Sequence, residues 1–296
     1  MSFSGYYYKI SCKNVGHRFI IIVSYLSNKN ESSALVQFNC IDNDGILIHS
    51  YTLSFKEFSI RNRCIYFGNS SASANHLYIS EPQLSISITI TAQQPIPQPS
   101  IGKSVMGIYH YVPFVQCKHY VDNIYLEVNA HIKCNNNVYL LNKALMYIEN
   151  SKGKSFPDEY TWYHFDQFLE CNDTYLLFAC ANPKWLFFKK KTHIGFLYHQ
   201  GTYLSLGEIN GSKLIKHSVM SNGTFIELKV KGAYIKMHIK NGFKKIELKG
   251  PSREGMNRII SEFINSSVEI EFIKNDIPLY IRGIKGTIEN EIILTH

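Results

Sequence analysis

Almost no stretch of this chain repeats its apolar residues at helical spacing, whereas short runs alternate apolar and polar residues again and again. Such a chain is confined to β architecture. The clearest example is Tyr234 to Leu248, where Ile235, Met237 and Ile239 point one way and Lys236, His238 and Lys240 the other. Asn241-Gly242 then reads as the turn of a hairpin. Further strands are expected at 18–25, 34–41, 84–91, 124–132, 138–148, 161–169, 175–181 and 268–273. With 20 tyrosines, 18 phenylalanines and many β-branched residues, the composition agrees. Evenly spaced short strands favour sandwiches or barrels. One segment reads differently: Met256, Ile259, Ile260 and Phe263 follow helical spacing after Pro251-Ser252, predicting one short helix over 252–264 near the C-terminus.

The 296 residues suffice for two domains. A Pro-rich stretch at 94–99 reads as an extended linker. The seam is expected near Lys152 to Pro157, dividing the chain into an N-terminal β domain, 1–152, and a C-terminal one, 153–296. The net charge of +8 raises nucleic acid as a partner, but Lys alternates with apolar residues in 226–231 and 235–240, as on the solvent face of a half-buried strand. No nucleic-acid partner is expected. The run Lys189-Lys190-Lys191 beside Trp185, Phe187 and Phe188 would allow transient membrane-surface contact, with core strand plus turn as the plainer reading.

Seven scattered cysteines, odd in number and without a CxxC pair, suggest free thiols in a reducing compartment. The N-terminal residues lack the charged start and unbroken apolar run of a secretory signal. A cytoplasmic location follows as the expectation. No P-loop, dinucleotide fingerprint or GxSxG occurs. Cys117-Lys118-His119 with His110 lacks a second ligand pair at zinc spacing, so no metal and no cofactor are expected.

The segment from Tyr147 to Phe168 carries most of the chemistry. If 161–169 is a strand, Trp162, His164, Asp166 and Phe168 share a face. Asp166 two positions from His164 is then placed to orient it and hold it protonated, as a general acid or base requires. A hydrogen-bonded polar pair on an outward face is the alternative. Glu149 is either a buried acid or a strand-end residue bound to backbone donors.

The run Tyr147-Ile148-Glu149 through Gly153 and Ser155-Phe156-Pro157 to Tyr160, Trp162 and Phe168 resembles a pattern of the bacterial tocopherol cyclase-like family. Gly5-Tyr6-Tyr7-Tyr8-Lys9 is similar to the family's early Gly-Trp-Tyr-Phe-Lys. Met106-Gly107, Val112-Pro113-Phe114 and Cys117-Lys118-His119 are similar to its central landmarks, and Leu248-Lys249-Gly250-Pro251 with Ile288-Glu289-Asn290-Glu291 to its closing segment. The resemblance implies two lipocalin-like β units and a cavity lined from the Gly-x-Tyr-x-Lys and Ser-Phe-Pro…Trp segments. Tyr6, Tyr8, His119, Tyr160, Trp162 and Phe168 are expected to contact the substrate; the expected catalytic residues are Glu149, which matches the family's Glu, and the pair His164 and Asp166 read from strand spacing. The chain departs from the pattern at Ser151-Lys152, Tyr6, Gln116 and His164-x-Asp166. The expected function is a cofactor-independent cyclase or isomerase acting by acid/base chemistry on a small hydrophobic, prenylated or polyene molecule. The alternative is a non-catalytic binding or carrier protein with the same pocket.

Overall fold

The computed structural model describes residues 2–12, 15–27, 32–93, 104–113, 115–185, 188–189, 191–252, 255–274 and 277–291. The Pro-rich stretch 94–99, Phe187 and Lys190 lie outside them. Contacts divide the chain into two units, and neither is one continuous half. Unit 1 comprises Met1–Ile96, Cys117–Ser155 and Lys249–Arg258, and unit 2 comprises Pro97–Gln116, Phe156–Leu248 and Ile259–His296.

Unit 1 is built on strands β1 (Ser2–Cys12), β2 (His17–Ser27), β3 (Ser32–Asp42), β4 (Leu47–Phe55), β5 (Phe58–Arg61), β6 (Cys64–Phe67), β7 (Ser70–Ser73), β8 (His76–Glu81), β9 (Leu84–Gln93), β10 (Cys117–Cys134) and β11 (Asn137–Gly153). They form one 11-stranded sheet in the order β4-β3-β2-β1-β11-β10-β9-β8-β7-β6-β5. The sheet is rolled, because Phe55 of one edge strand and Phe58 of the other pack on the same core of Tyr8, Ile10, Phe19, Val36, Leu126 and Ile148. Consecutive strands pair as meanders, and closure depends on β1 meeting β11, with Tyr6 opposite Asn150.

Both faces of β1 are buried from Tyr6 to Cys12. The even positions enter the apolar core, and the odd ones, Tyr7, Lys9 and Ser11, form a second buried face with Arg18, Gln37 and Asn39. Gln37 answers for the backbone of the returning segment: it accepts the Lys249 N–H at 2.6 Å and donates to the Lys249 carbonyl at 2.8 Å. Gln37→Leu leaves both backbone groups unpaired and should destabilise unit 1 by about 2 kcal/mol. Denaturant unfolding and exchange of the Lys249 amide would measure it; an unchanged midpoint would show that solvent replaces the clamp.

Unit 2 follows with β12 (Tyr160–Phe165), β13 (Thr174–Ala181), β14 (Lys184–Trp185), β15 (Phe188–Lys189), β16 (Thr192–His199), β17 (Thr202–Ser205), β18 (Lys213–Met220), β19 (Gly223–Val230), β20 (Ala233–Lys240), β21 (Lys244–Gly250), β22 (Arg258–Lys274) and β23 (Ile277–Glu291). Its sheet runs β17-β16-β13-β12-β23-β22-β20-β19-β18, with β21 also on β22. Tyr163, Phe165, Phe178, Ile226, Met237, Ile270 and Ile288 form its core.

The short helix expected over 252–264 is replaced by the start of β22. Ser252 and Gly255 close a turn on each other, and alternation governs from there: Ile260, Glu262, Ile264, Ser266, Val268 and Ile270 are buried while Ile259 is half exposed. A helix would have put Ile259 and Ile260 on one face. Pairing with β20, β21 and β23 separates them, and the isoleucine-rich run suits the pleat. The expected hairpin at Asn241-Gly242 is also not one. Strands β20 and β21 lie end to end along β22 rather than against each other. Two short 3-10 turns, Gly107–Tyr111 and Glu208–Asn210, are the helical elements among the described residues. None is long and apolar enough to cross a membrane.

Candidate functional site

In unit 1 the antiparallel register sets Cys117, His119 and Val121 opposite Gly153, Ser151 and Glu149, so these side chains share the second buried face. Tyr7 is opposite Glu149 and Lys9 opposite Tyr147 on the other flank. The Tyr147 hydroxyl donates to Glu149 Oε2 at 2.6 Å, and His119 Nε2 lies 3.5 Å from the same oxygen. His119 Nδ1 is 3.0 Å from Ser151 Oγ. Burial drives His119 down to about 4, which leaves a neutral imidazole beside a carboxyl group near pH 7 rather than an ion pair. A neutral ring can relay a proton, taking it at one nitrogen while giving up the one on the other, but at this position it resists holding both. Burial pushes the Cys117 thiol up to about 12, and the charge of Glu149 adds to it. A thiol held that high is a poor nucleophile near pH 7.

Tyr6 and Tyr8, expected in the same cavity, lie on the opposite face. Both belong to the apolar core of unit 1, and their hydroxyls donate to the Arg63 carbonyl at 2.6 Å and the Ser73 carbonyl at 2.8 Å. The strand parity of Gly5-Tyr6-Tyr7-Tyr8-Lys9 puts Tyr7 and Lys9 with His119 and Glu149. Sequence reasoning chose the other two tyrosines, though the Gly-x-Tyr-x-Lys pattern itself runs along the odd positions.

In unit 2, β12 carries Tyr160, Trp162 and His164 on one buried face. Trp162 and His164 stack with centroids 5.7 Å apart. Across β23 they face Glu289 and Thr287, and the Tyr160 hydroxyl donates to Glu289 Oε2 at 2.7 Å. Glu289 is in register with the fully buried Glu262 of β22. Asp166 is buried just past the strand end. Phe168, expected beside His164, packs instead with Tyr163 and Phe165 in the core and bridges to Gly283. The strand stops at Phe165, so its alternation does not reach Phe168.

Of the remaining expected site residues, Glu149 and His119 belong to unit 1 and Tyr160, Trp162, His164 and Asp166 to unit 2. Tyr147, Glu262 and Glu289 were missed. Glu262 had a signal, a carboxylate inside the isoleucine alternation of 260–270, which was hidden by reading that segment as a helix.

Unit 2 is rolled as unit 1 is, since Leu204 and Leu214 of its two edge strands pack on one core, and two rolled antiparallel units define a lipocalin-like β protein. The chain belongs to the tocopherol cyclase-like family, whose profile matches residues 103–287. Among solved structures it is similar to CghA with Sch210972, at TM-score 0.66 and 10% identity, covering 100% of this chain and 89% of that one. It is also similar to kievitone hydratase from Nectria haematococca, at TM-score 0.53 and 10% identity, covering 97% and 88%. At these identities the likeness is one of fold. No curated protein sequence matches the chain.

Proposed function

We propose that this protein is a cofactor-independent cyclase or isomerase that works by acid/base chemistry on a small hydrophobic molecule, prenylated or polyene in character. The observation that carries the reading is the Tyr147–Glu149–His119 arrangement, a carboxyl held by a phenol and touching a neutral imidazole on a buried face. Family membership supports it, as do neighbours in fold whose names describe a hydratase and a protein crystallised with Sch210972.

The reaction class balances without a cofactor. A proton added to an alkene carbon creates a carbocation, a hydroxyl oxygen of the same molecule closes on it, and that hydroxyl's proton leaves. Proton taken and proton returned are equal, so one acid/base group suffices. Buried carboxyl and aromatic faces stabilise the developing positive charge. Glu149 is the proton donor in this reading, with His119 as its exchange partner. His164, stacked on Trp162, is the second candidate donor or acceptor, and Asp166 is its orienter in this reading.

The test uses a geranylated hydroquinone as probe. Glu149→Gln should bind it within about twofold of wild type and lose turnover by a factor of about 100 or more; His164→Gln measured in parallel assigns the second group. Wild-type protein that binds the probe and a panel of polyenes but converts none of them would replace the enzyme reading with the carrier reading.

A further inference from the structure

Phe243 stands at the step from β20 to β21, and at 106% relative exposure its ring is wholly open to solvent. Its backbone is nonetheless fixed. Just before it, the Asn241 N–H donates to the Asn222 carbonyl at 3.0 Å and the Gly242 N–H to Ser266 Oγ at 3.0 Å. Just after it, Ile246 and Leu248 of β21 are buried. A pinned chain therefore holds an aromatic ring out into water, at the full cost of its apolar hydration.

A single exposed aromatic is ordinary on a protein surface; the surroundings distinguish this one. Lys240 precedes it and Lys244 and Lys245 follow, all three exposed. The β18–β19 turn reaches the same end of the sheet, since Gly223 is in register with Lys240, and it brings the exposed Met220, Ser221 and Asn222. The first acidic residues back along these strands are Glu247 and Glu269. Glu247 lies one outward position behind Lys245, and Glu269 is opposite His238, one outward position behind Lys240. The tip is thus an apolar ring among charges of one sign, and its complement is a surface both anionic and apolar beneath. Single-stranded nucleic acid is bound by successive aromatics along a basic groove, whereas one ring projecting from a turn suits insertion beneath a layer of lipid headgroups.

We propose that the Phe243 tip of unit 2 docks on the surface of an anionic lipid bilayer. Phe243 enters at the boundary of headgroups and acyl chains, and Lys240, Lys244 and Lys245 meet the anionic headgroups around it. With one inserted ring and three lysines the contact is reversible. The tip is distinct from the 185–191 run. A bilayer is also where molecules of the proposed substrate class collect, but vesicle binding is read without turnover, so this inference and the proposed function fail separately.

The experiment sediments the protein with vesicles of two parts phosphatidylcholine to one of phosphatidylserine, and with vesicles of phosphatidylcholine alone. Wild type should favour the anionic vesicles by about tenfold or more and lose most of that preference at high salt. Phe243→Ser should bind them about tenfold more weakly. Lys240→Gln, Lys244→Gln and Lys245→Gln combined should abolish the preference for them. Both variants should melt with wild type, because the side chains changed are exposed. In Phe243→Trp, lipids brominated on the acyl chain should quench the added fluorescence. Equal binding of wild type to the two kinds of vesicle, binding to neither, or anionic binding unchanged in Phe243→Ser would overturn the proposal. A wild type that ignores vesicles and instead binds single-stranded DNA, or self-associates, through Phe243 would assign the tip to nucleic acid or to a second copy.

Discussion

Gly242→Ala should prevent unit 2 from folding, or cost it more than about 4 kcal/mol. Gly242 lies in the step between β20 and β21, where the chain passes directly over β22. A Cβ built there would stand 1.6 Å from the Ile264 carbonyl oxygen and 2.6 Å from its carbon. Those are backbone atoms of a central strand that pairs with β20 on one side and β23 on the other, so they cannot retreat without breaking both ladders. The Gly242 N–H also donates to Ser266 Oγ at 3.0 Å, which holds the crossing in place. Gly255→Ala is the control, because a Cβ there meets nothing within 4 Å. Thermal melts of the two variants should diverge sharply. A Gly242→Ala protein that melts with wild type would refute the close crossing.

The pH dependence of unit 1 should be almost flat between about pH 4 and pH 6, and two single substitutions should each uncover a slope of opposite sign. His119 is driven from 6.5 down to about 4 by burial. Over that window the unfolded chain binds the extra proton, so this group makes stability rise with pH and is lost on acidification. Asp122 is pushed from 3.8 up to about 6, again by burial with Arg63 opposing. Here the folded chain binds the extra proton, and stability falls as pH rises through the window. Each displacement corresponds to ~3 kcal/mol over its full range, and the two overlap. His119→Gln should therefore leave a unit that gains stability toward pH 4, and Asp122→Asn one that loses it. Native-state hydrogen exchange of β1 and β2 amides reports unit 1 by itself, as two separate units require. Parallel profiles for wild type and both variants would rule out burial as the cause of either displacement.

Much of this fold was legible because alternation is a local signal. Ile235, Met237 and Ile239 are buried, and His238 and Lys240 are exposed, as read from the sequence. Partner choice is not local. Asn241-Gly242 has the chemistry of a two-residue turn, yet β20 and β21 both belong to β22, and only a 17-residue strand long enough to serve two partners makes that arrangement available. The same distant pairing defeated the helix expectation at Ile259 and Ile260. At the site, His164 and Trp162 share a face as alternation requires, and Phe168 does not because the strand ends first. Composition does not separate Tyr6 from Tyr7, because both faces of β1 are buried; the one cue to its parity is the run of Gly5, Tyr7 and Lys9 along the odd positions. Asp122, which has no partner across the ladder because the β10–β11 register shifts between Val121 and Asn123, was invisible for a different reason: a bulge leaves no mark in the amino-acid pattern.

The antiparallel closure of β1 on β11 also fixes an order of events during synthesis. Tyr6 cannot find Asn150 until about 7 to 29 s of translation separate them, at about 5–20 residues per second. Until then β1 and β2 form a hairpin whose outer edge is open and whose two faces both carry apolar side chains, the kind of surface that recruits other nascent chains. The Gln37 clamp on Lys249 comes later still, after most of the chain has emerged. Unit 1 begins first and finishes near the end, so its yield in the cell depends on what shelters an unclosed sheet in the interval.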